Sequence, residues 1–146
     1  MHEVKETEAV PYSPRQMFEL IADVDRYQEF LPRCEKSRIV SRENNTVVVE
    51  FRVKLGPAGL SFTTRNDFFP HKRIDIHLLQ GPFDVFEGSW RFFSHSEHSA
   101  KIEFRLRFKI AHERLGALFD PLFREATATI TKAFKERAEK VYGRAT

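Results

Sequence analysis

Three groups of side chains in this 146-residue sequence are of types that could do chemistry. Cys34 is the lone cysteine and stands among Arg33, Lys36 and Arg38, cations that favour a thiolate and hence a nucleophile. Placed directly after Phe30-Leu31-Pro32-Arg33, it reads equally well as a small packing residue. His95 and His98, three apart with Glu97 between them, resemble a metal-ligand spacing. They fall in a polar connection rather than on a helix, with no second ligand pair in sight, so no metal is expected. Asp67, His77 and Glu87 lie on candidate strands; acid/base work would need them gathered at one cavity, and spacing alone does not gather them. The glycines at 56, 59, 81, 88, 116 and 143 make neither a phosphate loop nor a dinucleotide fingerprint, and there is no G-x-S-x-G elbow. These residues name no catalytic group, and a non-enzymatic binding protein without a cofactor is the expectation.

Binding is where the composition points. Fifteen of the aromatic residues are Phe, against three Tyr and one Trp, so the chain favours large rings with no hydrogen-bonding group. They pack either as a solid core or as the walls of an apolar cavity. Charge is mild overall at +3 but uneven. Arg33, Lys36, Arg38 and Arg42 outweigh Glu35, and Lys101, Arg105, Arg107 and Lys109 outweigh Glu103, each segment netting +3 in an otherwise slightly acidic chain. Were the fold to unite them, they would make one patch suited to nucleic-acid phosphate; apart, they are two solvated strand faces. No apolar run approaches the ~18 residues of a membrane span. The charged start Met1-His2-Glu3-Val4-Lys5-Glu6 leads into no apolar signal region, and one cysteine makes no internal disulfide, so a cytoplasmic protein is expected.

These residues need elements to position them. Residues 2–10 read as a strand ending at Pro11. Ser13, Pro14 and Gln16 make an N-cap, an N1 proline and a capping box, with Tyr12 and Met17 as a hydrophobic staple, for a helix of about ten residues. A second short helix starts at Asp25, with Gln28 three positions on, and stops at Pro32. Strands follow at 36–42, 46–55, 60–69, 73–79, 83–94 and 101–110, the last alternating without a fault. From Leu115 the period changes to that of one long amphipathic helix ending near Tyr142 and Gly143, with a kink or restart expected at Asp120-Pro121. The order predicts an α+β domain over 1–146 in which a curved antiparallel sheet wraps the C-terminal helix. Phe51, Phe86, Trp90, Phe92, Phe104 and Phe108 would then face Phe119, Phe123, Ile130 and Phe134 of the helix, with Gly88 leaving room among the rings. Phe62 is counted with this wall, and Arg65 or Asn66 would supply the few polar contacts.

Strings along nearly the whole chain carry a resemblance. They are Val10-Pro11-Tyr12-Ser13, Asp23-Val24-Asp25-Arg26-Tyr27, Phe30-Leu31-Pro32-Arg33-Cys34 and Phe62-Thr63-Thr64-Arg65-Asn66. Gly81-Pro82-Phe83, Gly88-Ser89-Trp90-Arg91-Phe92 and Arg137-Ala138-Glu139-Lys140-Val141-Tyr142 continue it. Together they resemble the START-like helix-grip fold, in its coenzyme-Q-binding and ribosome-association-toxin branch, related to polyketide cyclases and dehydrases. The resemblance implies a cavity between sheet and C-terminal helix that holds an isoprenoid quinone, ubiquinone foremost, or another lipid in support of respiration. It also implies the alternative of a toxin that binds the large ribosomal subunit and blocks 70S formation. Transient membrane-surface contact fits the first. Arg33 stands where coenzyme-Q-binding relatives often carry Trp, which tips the resemblance toward the bacterial subgroup.

Overall fold

The computed structural model describes residues 1–143; the last three residues of the expected domain lie outside them. Period-two patterning builds seven strands: β1 (His2–Val10), β2 (Cys34–Glu43), β3 (Thr46–Leu55), β4 (Ala58–Phe69), β5 (Arg73–Gln80), β6 (Phe83–Ser96) and β7 (Ser99–Ile110). They form one sheet in the order β1-β7-β6-β5-β4-β3-β2, antiparallel throughout. The strict alternation of β7 has the expected result: Ile102, Phe104, Leu106, Phe108 and Ile110 are all buried, and Arg105, Arg107 and Lys109 face solvent. Register shifts between Cys34 and Lys36, Thr63 and Thr64, and Phe83 and Val85 interrupt the ladders. Extra residues of this kind bend a strand and increase its twist, and the sheet curls.

Helix α1 (Pro14–Ala22) starts as the sequence directs. The Ser13 hydroxyl accepts from the Gln16 amide at 3.1 Å, and the Gln16 side chain accepts from the Ser13 amide at 2.9 Å. The second short element is a 3-10 helix over Val24–Glu29, one residue earlier than expected and with no side-chain cap. Gln28 does not reach back to cap it. Its amide donates to the Ser37 hydroxyl and its side chain accepts from the Ser37 amide, which fastens this turn to β2.

The C-terminal helix is bent, and the bend is not at Pro121. Helix α2 (Glu113–Ala128) runs through Pro121, and α3 (Ile130–Tyr142) begins after a break at Thr129. Asp120 is not an N-cap; its carboxylate lies 2.9 Å from His2 Nε2 of β1. At the break Thr127 Oγ1 donates to the carbonyls of Phe123 and Arg124, drawing on acceptors of the helical ladder, and β-branched residues crowd Thr127–Thr131. Gly143 ends α3 at φ +81°, its amide returning to the Glu139 carbonyl. Four polar ties hold α3: Tyr12 Oη donates to the Gly143 carbonyl, Tyr142 Oη to the Gln16 carbonyl, Lys135 pairs with Glu8, and Arg137 with Glu29.

Candidate functional site

Inside the curl the rings neither fill all the space nor leave much of it. Phe62 lies 5.4 Å from Phe51 and 5.4 Å from Phe86, centroid to centroid, and Phe83 and Phe123 close around it. Beneath the α2–α3 junction remains a cavity of about 120 Å³ with an almost wholly apolar lining. A dry cavity of about 150 Å³ holds one benzene, so this one takes about one ring. Phe51, Phe62, Phe86, Trp90, Phe104, Phe123 and Ile130 line it as expected. Its rim at Leu31, Pro32 and Cys34, facing Ala126, Thr127 and Ile130, is half-buried or exposed.

Five expected wall residues lie elsewhere. Arg65 points to the outer face, because alternation on β4 turns Thr64 and Asn66 inward, and it pairs with Asp67 at 3.5 Å. Phe92 packs on Phe18 of α1, Phe108 on His2 and Phe123, and Phe134 is enclosed by Tyr27, Phe30 and Trp90. Phe119 is buried in the core, one turn of α2 before Phe123 and outside the lining. These four rings are ordinary core. Gly88 is not itself in the lining: a Cβ there would meet Ile76 and Leu106, its cross-strand partners, at 3.4–3.5 Å, an ordinary contact.

Reading only the rings missed the rest of the lining. Val53, Ile74, Ile76 and Leu106 share the phase of their strands' buried residues, and Thr64 and Asn66 share that of Phe62. Tyr27 enters from the 3-10 helix, its hydroxyl committed to the Ile21 carbonyl. Thr64 Oγ1 donates to Asn66 Oδ1 at 2.8 Å, both side chains being buried. Cys34 stands at the rim, and burial pushes its thiol up from the ordinary value despite hydrogen bonds with Ser37 and the Lys36 backbone.

The candidate acid/base residues do converge, but outside. His77 Nε2 lies 3.3 Å from Asp67 Oδ2, and Thr46 Oγ1 donates to Asp67 Oδ1, all on the solvent face of the sheet. Glu87 meets Arg107 on the same face. His95, exposed near the end of β6, lies within the strand and not in the expected connection, His98 is exposed in the turn after it, and no metal-holding cluster occurs among the described residues.

The two basic segments do not form one patch. β2 is an edge strand, β7 is next to the opposite edge, and four strands separate them. The β7 cations are also offset. Arg105 pairs with Glu103 at 3.0 Å and Arg107 lies between Glu3 and Glu87, while β1 sets Lys5 opposite Arg105 and turns Glu6 and Glu8 to the inner face, where Glu8 meets Lys135 of α3. Lys101 sits over the Phe93 ring, and Lys109 stays exposed. β2 and β3 carry the other cationic surface. Lys36 and Arg38 share the single carboxylate of Glu50, and β3 contributes Arg52 and Lys54. With exposed Arg33 and Arg42, residues 33–54 carry six cations against three carboxylates. Arg52 is set in place: a Cβ at residue 59 would lie 2.5 Å from its Nη2, so Gly59 lets the guanidinium lie across β4 and donate to Ser61 Oγ at 3.0 Å.

The profile of polyketide cyclase / dehydrase and lipid transport proteins matches residues 10–135. The chain belongs to that family. Within it, the chain is 36% identical to ribosome association toxin RatA of Pseudomonas aeruginosa over 140 residues, which cover 96% of this chain and 97% of the relative. It is 26% identical to coenzyme Q-binding protein COQ10 homolog B of Xenopus laevis, covering 97% of this chain and 60% of that one. The Zhui aromatase/cyclase of Streptomyces sp. R1128 superposes with a TM-score of 0.85 at 21% identity, over 99% of this chain and 96% of that one, which shows a shared fold. The family member described here thus has a helix-grip architecture, a small apolar cavity and a net cationic edge at β2 and β3, and no helix long and apolar enough to cross a membrane among its described residues.

Proposed function

We propose that this family member is a non-enzymatic, cytoplasmic ribosome-association protein that meets ribosomal RNA, on the large subunit, through the outer face of β2 and β3, and so opposes 70S formation. The observation that carries it is the 36% identity to a ribosome association toxin from end to end. The face from Arg33 to Lys54 supports it physically: six cations sharing three carboxylates on one edge of the sheet keep a positive field for phosphate. Sucrose-gradient profiles of ribosomes with added protein test the reading. Free subunits are expected to rise at the expense of 70S particles, and an unchanged ratio overturns it.

The cavity favours a second role compatible with the first, that of holding an isoprenoid quinone or similar lipid. Aromatic and aliphatic walls around space for about one ring suit a flat head group, with a tail leaving by the rim at Leu31–Cys34. Each Å² of tail withdrawn from water adds about 25 cal/mol. The relative named coenzyme Q-binding supports this role. Native mass spectra of protein freshly purified from a quinone-making host are expected to carry a lipid adduct. Its absence, with no uptake of added quinone, overturns this role alone.

A further inference from the structure

The sequence holds two Phe-Phe pairs, and strand alternation divides each between the faces of the sheet. Phe68 on β4 and Phe92 on β6 are buried, whereas Phe69 is 38% and Phe93 41% exposed on the outer face. Each outward ring lies under a cation. The Arg73 guanidinium carbon is 3.9 Å from the Phe69 centroid, and Lys101 Nζ is 4.9 Å from that of Phe93. Register ties the two rings together. Phe69 is opposite Arg73, Arg73 is opposite Arg91, and Phe93 follows Arg91 by two residues and is itself opposite Lys101. Strand spacing and rise set the rings about 12 Å apart, with Arg73 and Arg91 between them. The acids here are engaged: Asp75 lies 3.3 Å from Arg73 Nε, and buried Glu103 pairs with Arg105. Lys72 and Arg91, both exposed, pair with no carboxylate among the described residues.

We propose that this end of the outer face binds an unpaired stretch of RNA, stacking bases at Phe69 and Phe93 and holding phosphates with Lys72, Arg73, Arg91 and Lys101. The inference goes beyond the ribosomal reading, from which it takes only the polymer. Its surface begins on β4, the strand next to the β2–β3 face. Aromatic rings set among cations suit a single strand, because every base has a face to stack and every link carries a charge. At Phe69 a base stacks on the Arg73 guanidinium, itself a stacking plane already seated over the ring. At Phe93 the base takes the place of the flexible Lys101 chain, whose ammonium moves to phosphate. Stacked neighbours in one strand are only about 3.4 Å apart, so rings at this separation receive bases splayed out of a stack, not a duplex. A membrane surface fits less well, since arginines interrupt the rings and no continuous apolar patch forms.

The test is fluorescence anisotropy of a labelled oligoadenylate about eight residues long, against an abasic strand of the same length and charge. The parent protein should bind the oligoadenylate at least about tenfold more tightly than the abasic strand. Phe69→Ala and Phe93→Ala should each weaken the oligoadenylate by about tenfold and leave the abasic strand almost unchanged. Should alanine unfold either strand, leucine and tryptophan at the same positions carry the test. Phe69→Leu and Phe93→Leu keep an apolar side chain without a ring and should bind as weakly as alanine, whereas Phe69→Trp and Phe93→Trp should bind like the parent. No binding, equal affinity of the parent for the two strands, or affinities that the folded variants leave unchanged overturn the inference. Capture by phosphatidylglycerol vesicles without binding of the oligoadenylate overturns it in favour of a membrane. Each of these failures leaves the ribosomal reading standing, because no ribosome takes part; an unchanged subunit ratio in the gradients defeats that reading and not this one.

Discussion

At the scale of single residues, the cavity rim makes Cys34 a contradiction that can be measured. Sequence neighbours argue for an acidified thiol, yet burial raises it, because desolvating a thiolate outweighs the hydrogen bonds that Ser37 and the Lys36 backbone offer. A raised value means less thiolate at any pH near neutrality. Alkylation by iodoacetamide should therefore lag behind that of the urea-unfolded protein at pH 8, and the midpoint of its pH–rate profile should lie at higher pH. A profile that is slow but has the unfolded midpoint would mean that access alone limits the reaction. Arg65 and Asn66 show how far single residues were legible. Both were candidates for a polar contact; alternation from Phe62 decides between them, and applying it strictly would have chosen Asn66. The Thr64–Asn66 bond was beyond reach, since alternation puts both side chains on one face but does not fix the rotamers that let them meet.

At the scale of elements, most of the fold was legible because its signals are local. The capping box of α1, the alternation of β3 and β7, and the period of the C-terminal helix each act within a few residues. Pro121 was the exception. A proline costs a helix one hydrogen bond, but the chain stays helical through it, and the break falls where Thr127 turns its hydroxyl onto the backbone. The run Thr127-Ala128-Thr129-Ile130-Thr131 was the available signal, weaker than proline and easily passed over. Because Pro121 is solvent-exposed within an intact helix, Pro121→Ala should raise the free energy of urea unfolding by about 1–3 kcal/mol, without moving the break. A destabilised variant would mean that the ring itself packs usefully.

At the scale of the whole molecule, sheet order governs charge. Two sequence segments of equal formal charge become separate surfaces with different neighbours, because Glu3 of β1 and Glu87 of β6 flank Arg107 on β7 while β3 sets Glu50, Arg52 and Lys54 beside β2. Nothing within either segment reveals this; it depends on strand neighbours far apart in the chain. Charge reversal at both Lys36 and Arg52 should weaken co-sedimentation with ribosomes and flatten its salt dependence by about one in log–log slope per lost phosphate contact, whereas Arg105→Glu should leave both near the parent value. Equal effects at the two places would contradict the assignment of β2 and β3.

The unequal fastening of the C-terminal helix has one more consequence. Across Thr129 the chain passes from a segment with one polar tie to the rest of the fold among the described residues, His2 to Asp120, to a segment with four. Amide hydrogens of 113–128 should exchange through local release at lower free energy than those of 130–142, with a step in protection at the junction. A guest could thus be admitted by loosening half a helix, while the other half keeps the barrel-like curl of the sheet in register.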